Sequence, residues 1–99
     1  MITFIRTVTA APGKFVDLLA FAQQISEVGG RISGRKLTVA TSFGGVANEV
    51  AWISTAENLG AMDDVFGKLM ASEEYRSTLK KAEHLIVPGS ARDQVWRHI

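Results

Sequence analysis

The chain has 99 residues, 46% of them hydrophobic and 21% charged, a balance that closes one compact core and excludes both a second domain and a disordered chain. Eleven Lys and Arg stand against ten Asp and Glu, and a net charge of +1 supplies no field to draw in a nucleic-acid backbone or an anionic bilayer. With no cysteine and two histidines far apart, a disulfide framework and a thiol nucleophile are excluded, and neither a metal nor a cofactor is expected.

No apolar run approaches the roughly 20 residues of a membrane span. The first ten residues, MITFIRTVTA, alternate like a strand and do not form a basic stretch ahead of a long apolar block, so a complete cytoplasmic chain is expected. Ile2 to Thr9 is β-branched and aromatic and predicts the first strand. Pro12 fits the first turn of a helix, with Phe15, Leu18, Leu19, Ala22 and Ile25 following at helical spacing and Gly29-Gly30 as the stop. Two strands in KLTVATSF and NEVAWIST flank Gly44-Gly45 and predict an antiparallel hairpin with a short loop. Ser54 with Glu57 matches a capping box for a second helix through Leu59, Met62, Phe66 and Leu69. Ser72 before Glu73 and Glu74 predicts a fresh N-cap and a third helix carrying Tyr75, Leu79, Ala82 and Ile86, ended by Pro88-Gly89. Arg92 to Ile99 supplies a last strand.

The order is β, α, β, β, α, an extra helix, then β, all within one domain spanning 1–99. It predicts an α+β, ferredoxin-like split βαβ sandwich: a four-stranded antiparallel sheet with helices on one face. The other face should then be polar in a monomer, yet both parities carry apolar residues. Ile2, Phe4 and Val8 share one parity while Ile5 takes the other, and Val50 and Trp52 oppose Ala51 and Ile53. Each large side chain left in water forgoes roughly 1.5–3 kcal/mol, so the expected solution is a homodimer joined sheet to sheet.

Three segments carry a family resemblance: a strand with an arginine running into a Pro-Gly and a helix (IRTVTAAPGKF), a strand with a central tryptophan (EVAWIST), and a helix junction at MASEEYRSTL. Together they span nearly the whole chain and resemble the dimeric α+β barrel superfamily, with NIPSNAP-like and antibiotic-biosynthesis-monooxygenase-like proteins nearest in pattern. The resemblance implies a barrel of two four-stranded sheets and a pocket between helices and sheet in each subunit. It also implies a range of activities: cofactor-free oxygenation of aromatic polyketides, haem degradation, isomerisation of small lactones, and stress-response or trafficking roles. Haem-degrading members resemble one another in an asparagine on the first strand and a tryptophan and a histidine in the second helical region. Here the first strand offers Thr3, Arg6 and Thr7, and Lys68 to Leu79 holds neither residue, which disfavours that group.

Arg6 interrupts an uncharged strand, so its guanidinium requires a partner. That partner is either a ligand carboxylate or enolate, or an acid of the chain such as Glu49; the further alternative is a side chain that snorkels to water at the strand end. Trp52 offers a flat surface for an aromatic ligand or a core side chain. Tyr75 can pack its ring while its hydroxyl donates into a pocket. His84 falls half a helical rotation from Tyr75 and is expected in solvent, His98 at a frayed end, and Asp63 and Asp64 on an outer helix face. GGRISGRK lacks the spacing of a phosphate loop, and EVAWIST lacks the aromatic pairing of an RNA-recognition strand. The expected site is a pocket lined by Phe4, Arg6, Trp52, Phe66 and Tyr75, taking a small apolar or aromatic ligand. As a cofactor-free monooxygenase or isomerase it would set Arg6 against a developing enolate, with Tyr75 as hydrogen-bond donor. The alternative is a non-enzymatic ligand-binding or stress-response dimer. A packed interior would favour the alternative, and a cavity of several hundred Å³ the ligand chemistry.

Overall fold

A computed structural model describes residues 1–99. Four strands, β1 (Ile2–Thr9), β2 (Thr38–Thr41), β3 (Glu49–Ala56) and β4 (Arg92–Arg97), form one sheet in the order β2-β3-β1-β4 with every neighbouring pair antiparallel. Helices α1 (Phe15–Ser33), α2 (Leu59–Ala71) and α3 (Glu73–Lys80) cover one face, and a single 3₁₀ turn, Glu83–Leu85, leads toward β4. No helix is long and apolar enough to cross a membrane. The split βαβ order and the α+β class are those expected from the sequence.

Several local expectations are corrected. Pro12 does not enter a helix: Ala11 to Lys14 form a β-turn closed by the Lys14 N–H on the Ala11 carbonyl at 2.9 Å, with Gly13 at φ +74°, the Pro-Gly pattern of a type II turn. Gly29 and Gly30 do not stop α1. The helix runs on to Ser33 and ends at Gly34, which takes φ +72° and donates its N–H to Gly30, because the buried row Leu18, Ala22, Ile25, Gly29, Ser33 keeps helical spacing through the glycine pair. The expected β2–β3 hairpin forms, with β2 shorter than KLTVATSF and a correspondingly longer loop, residues 42–48, in which Gly45 and Asn48 take the left-handed region.

Ser54 and Glu57 make no capping box. β3 continues through Ala56, and Asn58 caps α2 by accepting from the Ala61 N–H at 2.8 Å. Ser72 caps α3 through the Tyr75 N–H, as its sequence predicts. That helix ends at Lys80, well before Pro88, leaving Ala82 and Leu85 to pack on the core from the 3₁₀ segment. The C-terminus is tied and not frayed: the His98 N–H donates to Met1, and its Nε2 lies 2.6 Å from Thr3 Oγ1.

Strand register sorts the side chains. Across β1 and β3, Ile2 faces Ala56, Phe4 faces Ser54, Arg6 faces Trp52 and Val8 faces Val50, and these four pairs lie beneath the helices because side chains alternate along a strand. The apolar core is in two parts. One gathers Val8 and Val50 with Leu18, Ala22 and Leu85; the other gathers Ile2, Phe4 and Ala56 with Met62. Thr3, Ile5 and Thr7 of β1 face Thr55, Ile53 and Ala51 of β3 on the opposite side of the sheet, and β4, exposed along all six residues, has no helix over it. Leu18 is fully enclosed, whereas Val16 is exposed. Leu18→Ala is therefore expected to cost about 2–5 kcal/mol in urea unfolding, and Val16→Ala less than about 0.5 kcal/mol; comparable costs would contradict this placement of α1.

Candidate functional site

Between the two halves of the core, where Arg6 and Ser54 break the apolar ladder, a cavity of about 80 Å³ opens under α2 and α3. Phe4, Arg6, Trp52, Phe66 and Tyr75 all line it, with Ser54, Leu37 and Met62 among the others. The five residues proposed from the sequence thus meet at one place. At about 80 Å³ the cavity falls short of the several hundred Å³ expected of a ligand site, and only a compact molecule could enter it.

Each wall is held from behind. Phe4 and Phe66 meet edge to face at 4.9 Å between centroids, an arrangement aromatic quadrupoles favour. Trp52 lies on the helix side of the sheet, its indole N–H donating to the Ala22 carbonyl of α1 at 3.2 Å while Phe21 packs edge-on. The Ser26 hydroxyl donates to the Leu37 carbonyl, fixing the chain as it leaves α1 for β2. Gly29 lets Leu37 and Tyr75 lie close on α1: a Cβ there would sit 2.8 Å from Leu37 Cδ1 and 3.4 Å from Tyr75 Cε2.

Arg6 is the sole charged residue of the lining. Its partner is Asp93 of β4, directly across the strand pair, bound through Nε at 2.7 Å and Nη2 at 2.9 Å; Glu49, the acid considered from the sequence, binds Arg92 instead. The guanidinium is half-exposed and lies 5.6 Å from the Phe4 ring centroid, a cation–π distance. Nη1 and one N–H of Nη2 are not engaged by Asp93 and can serve a second oxygen. The hydrogen bonds from Arg6 hold the Asp93 carboxyl below the usual carboxylate range. Its stabilising contribution is thus present above about pH 4 and is lost as pH falls through the lowered native value, and with both side chains near half exposure it is worth no more than about 1 kcal/mol.

Burial pushes the Tyr75 phenol up, and the Arg6 charge pulls it partly back. The phenol is therefore a neutral donor near pH 7. His84, Asp63 and Asp64 are exposed, as expected, and lie outside the cavity. No group of three or more His, Cys, Asp and Glu side chains converges in a way that could hold a metal ion. Sequence reading missed Asp93, because the pairing of β1 with a strand nearly ninety positions away leaves no local signal, and Ser54, whose spacing to Glu57 imitates a cap.

An antiparallel four-stranded sheet with helices on one face is a ferredoxin-like α+β fold. Among solved structures, the chain is similar over its full length to protein Atu4242 of Agrobacterium tumefaciens, a NIPSNAP family protein with unknown function, at a TM-score of 0.83 and 24% identity over 94% of that chain. It is similar to a NIPSNAP domain protein of Burkholderia xenovorans at 0.85 and 14%, covering 100% of this chain and 95% of that one. A candidate antibiotic biosynthesis monooxygenase of Deinococcus radiodurans follows at 0.72 and 15%, over 100% and 93%. At these identities the likeness establishes the fold. No protein-family model and no curated protein matches the sequence.

Tyr75 is the only tyrosine, so absorbance titration reads it alone. Native protein should ionise above the ordinary value of about 10, denatured protein near it, and Arg6→Gln should move the native value higher still by removing the favourable charge. Because the folded phenol resists ionisation, stability should be intact below about pH 10 and fall as pH rises through the native value. A native phenol titrating at or below the denatured one would contradict this environment.

Proposed function

We propose that the chain binds a compact aromatic or enolisable molecule carrying an anionic oxygen, and that it does so as a homodimer. The observation that supports the ligand reading is the convergence of a single cation on an otherwise apolar, aromatic-walled cavity. An anion placed against the free N–H groups of Arg6 gains a charge-assisted bond, moderated by the solvent that reaches the half-exposed guanidinium, while Phe4, Phe66 and Trp52 flank its ring. In a cofactor-free monooxygenase or isomerase of this design, Arg6 would stabilise an enolate or phenolate and the neutral Tyr75 hydroxyl would donate to the same oxygen or its neighbour. A second, non-enzymatic reading is favoured by one feature: none of the lining residues is Asp, Glu or His, so the cavity offers no ordinary side-chain base. Oxygen uptake or isomer formation with a bound enolisable compound decides between them.

The dimer is supported by the open side of the sheet. Ile5, Ile53, Ala51 and Ala40 form an apolar centre edged by Thr3, Thr7 and Thr38, and Trp96 of β4 is 58% exposed beside them. A second copy laid on this face would cover what remains exposed of Ile5 and Ile53, already partly buried, and more of Trp96, each at less than the roughly 1.5–3 kcal/mol of a fully exposed large side chain.

Thermal unfolding tests the ligand reading. Benzoate at ten times its Kd should stabilise the protein by about 1.4 kcal/mol, raising Tm by about 5 °C or more. Arg6→Ala should fold and lose that response; an equal response in the variant, or none in the wild type, counts against the cavity. Light scattering tests the assembly: the wild type should show twice the mass of one chain and Ile53→Lys the mass of one, whereas a monomeric wild type refutes the dimer.

A further inference from the structure

Ser54 sits in the middle of β3, only 4% exposed, and its hydroxyl has no hydrogen-bond partner. No other buried side-chain polar atom of the chain is left this way; the other buried serine, Ser33, donates to Gly29 at 2.7 Å and accepts from the Arg35 N–H. Buried hydroxyls are satisfied as a rule, since a donor taken from water without replacement opposes folding. Alanine would fill the same site with no such debt. Ser54 lines the cavity, where Phe4, Met62, Val65 and Phe66 share the wall and provide no oxygen acceptor. Its hydroxyl, shut off from bulk water at the cavity wall, is left without a partner on the protein side.

We infer that Ser54 is the second anchor of the ligand, taking a neutral hydroxyl or carbonyl that stands away from the anionic group that Arg6 holds. The inference rests on the reading of the cavity as a ligand site. Arg6 pairs with Trp52 and Phe4 with Ser54, so the Arg6 and Ser54 backbones lie on one diagonal of the β1–β3 pair, about 7–8 Å apart in such a ladder. The Arg6 guanidinium extends from that diagonal toward Asp93 on β4, away from Ser54, so a ligand touching both groups must reach past the backbone separation, and a cavity of about 80 Å³ has little room beyond one ring. The ligand class is therefore a compact aromatic acid, or its enolisable equivalent, that carries a second, neutral oxygen away from its anionic group. The two anchors also divide the work: charge attraction at Arg6 gives affinity, and an uncharged hydrogen bond at Ser54 selects among rings of one size, because an analogue lacking the oxygen leaves the buried hydroxyl unpaired.

Calorimetry with benzoate and 4-hydroxybenzoate on the wild type and on Ser54→Ala tests this. The wild type should bind 4-hydroxybenzoate about five- to tenfold more tightly than benzoate, while Ser54→Ala keeps its benzoate affinity within about twofold and loses the preference. Without ligand, Ser54→Ala should melt no lower than the wild type. Equal wild-type affinities, or a preference that survives in Ser54→Ala, overturn the anchor role and leave the cavity standing as a ligand site. A lower melting temperature for Ser54→Ala would show the hydroxyl already bonded, as by an enclosed water, and also overturns it. Failure of both acids to bind the wild type removes the ligand-site reading and this inference with it.

Discussion

The pairing of β1 with β3 is the constraint on which everything else in this molecule depends. Its register sends Ile2, Phe4, Arg6 and Val8 to the helix side together with Ala56, Ser54, Trp52 and Val50. A slip of one residue would exchange every one of them for Thr3, Ile5, Thr7 and their partners. Within that inner ladder the apolar rows at either end build the two halves of the core, and the two polar residues lie between them. The cavity occupies the place where the strands stop supplying hydrocarbon.

That placement explains why the polar residues differ in surroundings. Arg6 reaches toward the edge of the sheet, where Asp93 on β4 provides a bidentate partner and solvent shares the charge. Ser54 lies one strand inward beneath α2, with nothing to bond. Arg6 also links the site's electrostatics: it depresses Asp93, limits the rise of Tyr75 and stacks near Phe4. An anion entering the cavity would share Arg6 with Asp93, and would raise the Tyr75 phenol further by offsetting the cation. The aromatic walls are fixed by the Trp52 bond to α1 and by the close seat that Gly29 gives Tyr75 and Leu37, so the entropy of ordering them is spent in folding and not on binding.

Much of this was legible in the sequence because strand parity is a short-range signal. Alternation in ITFIRTVT and EVAWIST suffices to put Phe4 and Trp52 on one side and Ile5 and Ile53 on the other, and Tyr75 follows from a cap three residues earlier that the structure contains. The misreadings share a physical cause: a local rule met a tertiary demand. Gly29 resembles a helix stop, yet it remains helical because the buried row of α1 continues through it to Ser33, and its missing Cβ leaves room for the Leu37 side chain. Ser54 has the spacing of a cap, but β3 keeps its ladder to Ala56 and leaves capping to Asn58. Asp93 was hidden because nothing near Arg6 in the chain announces a strand that returns after α3.

The central claim, that the gap in the inner ladder is a ligand site with Arg6 as its cation, is tested most directly by NMR titration of the folded protein with an aromatic carboxylate. Saturable shifts should appear at the Trp52 indole N–H, at the Arg6 side-chain N–H groups and at the backbone amides of Ser54 and Phe66, with Ile5, Ile53 and Trp96 on the open face unmoved. Shifts confined to that open face, or none at the four inner positions, would contradict it.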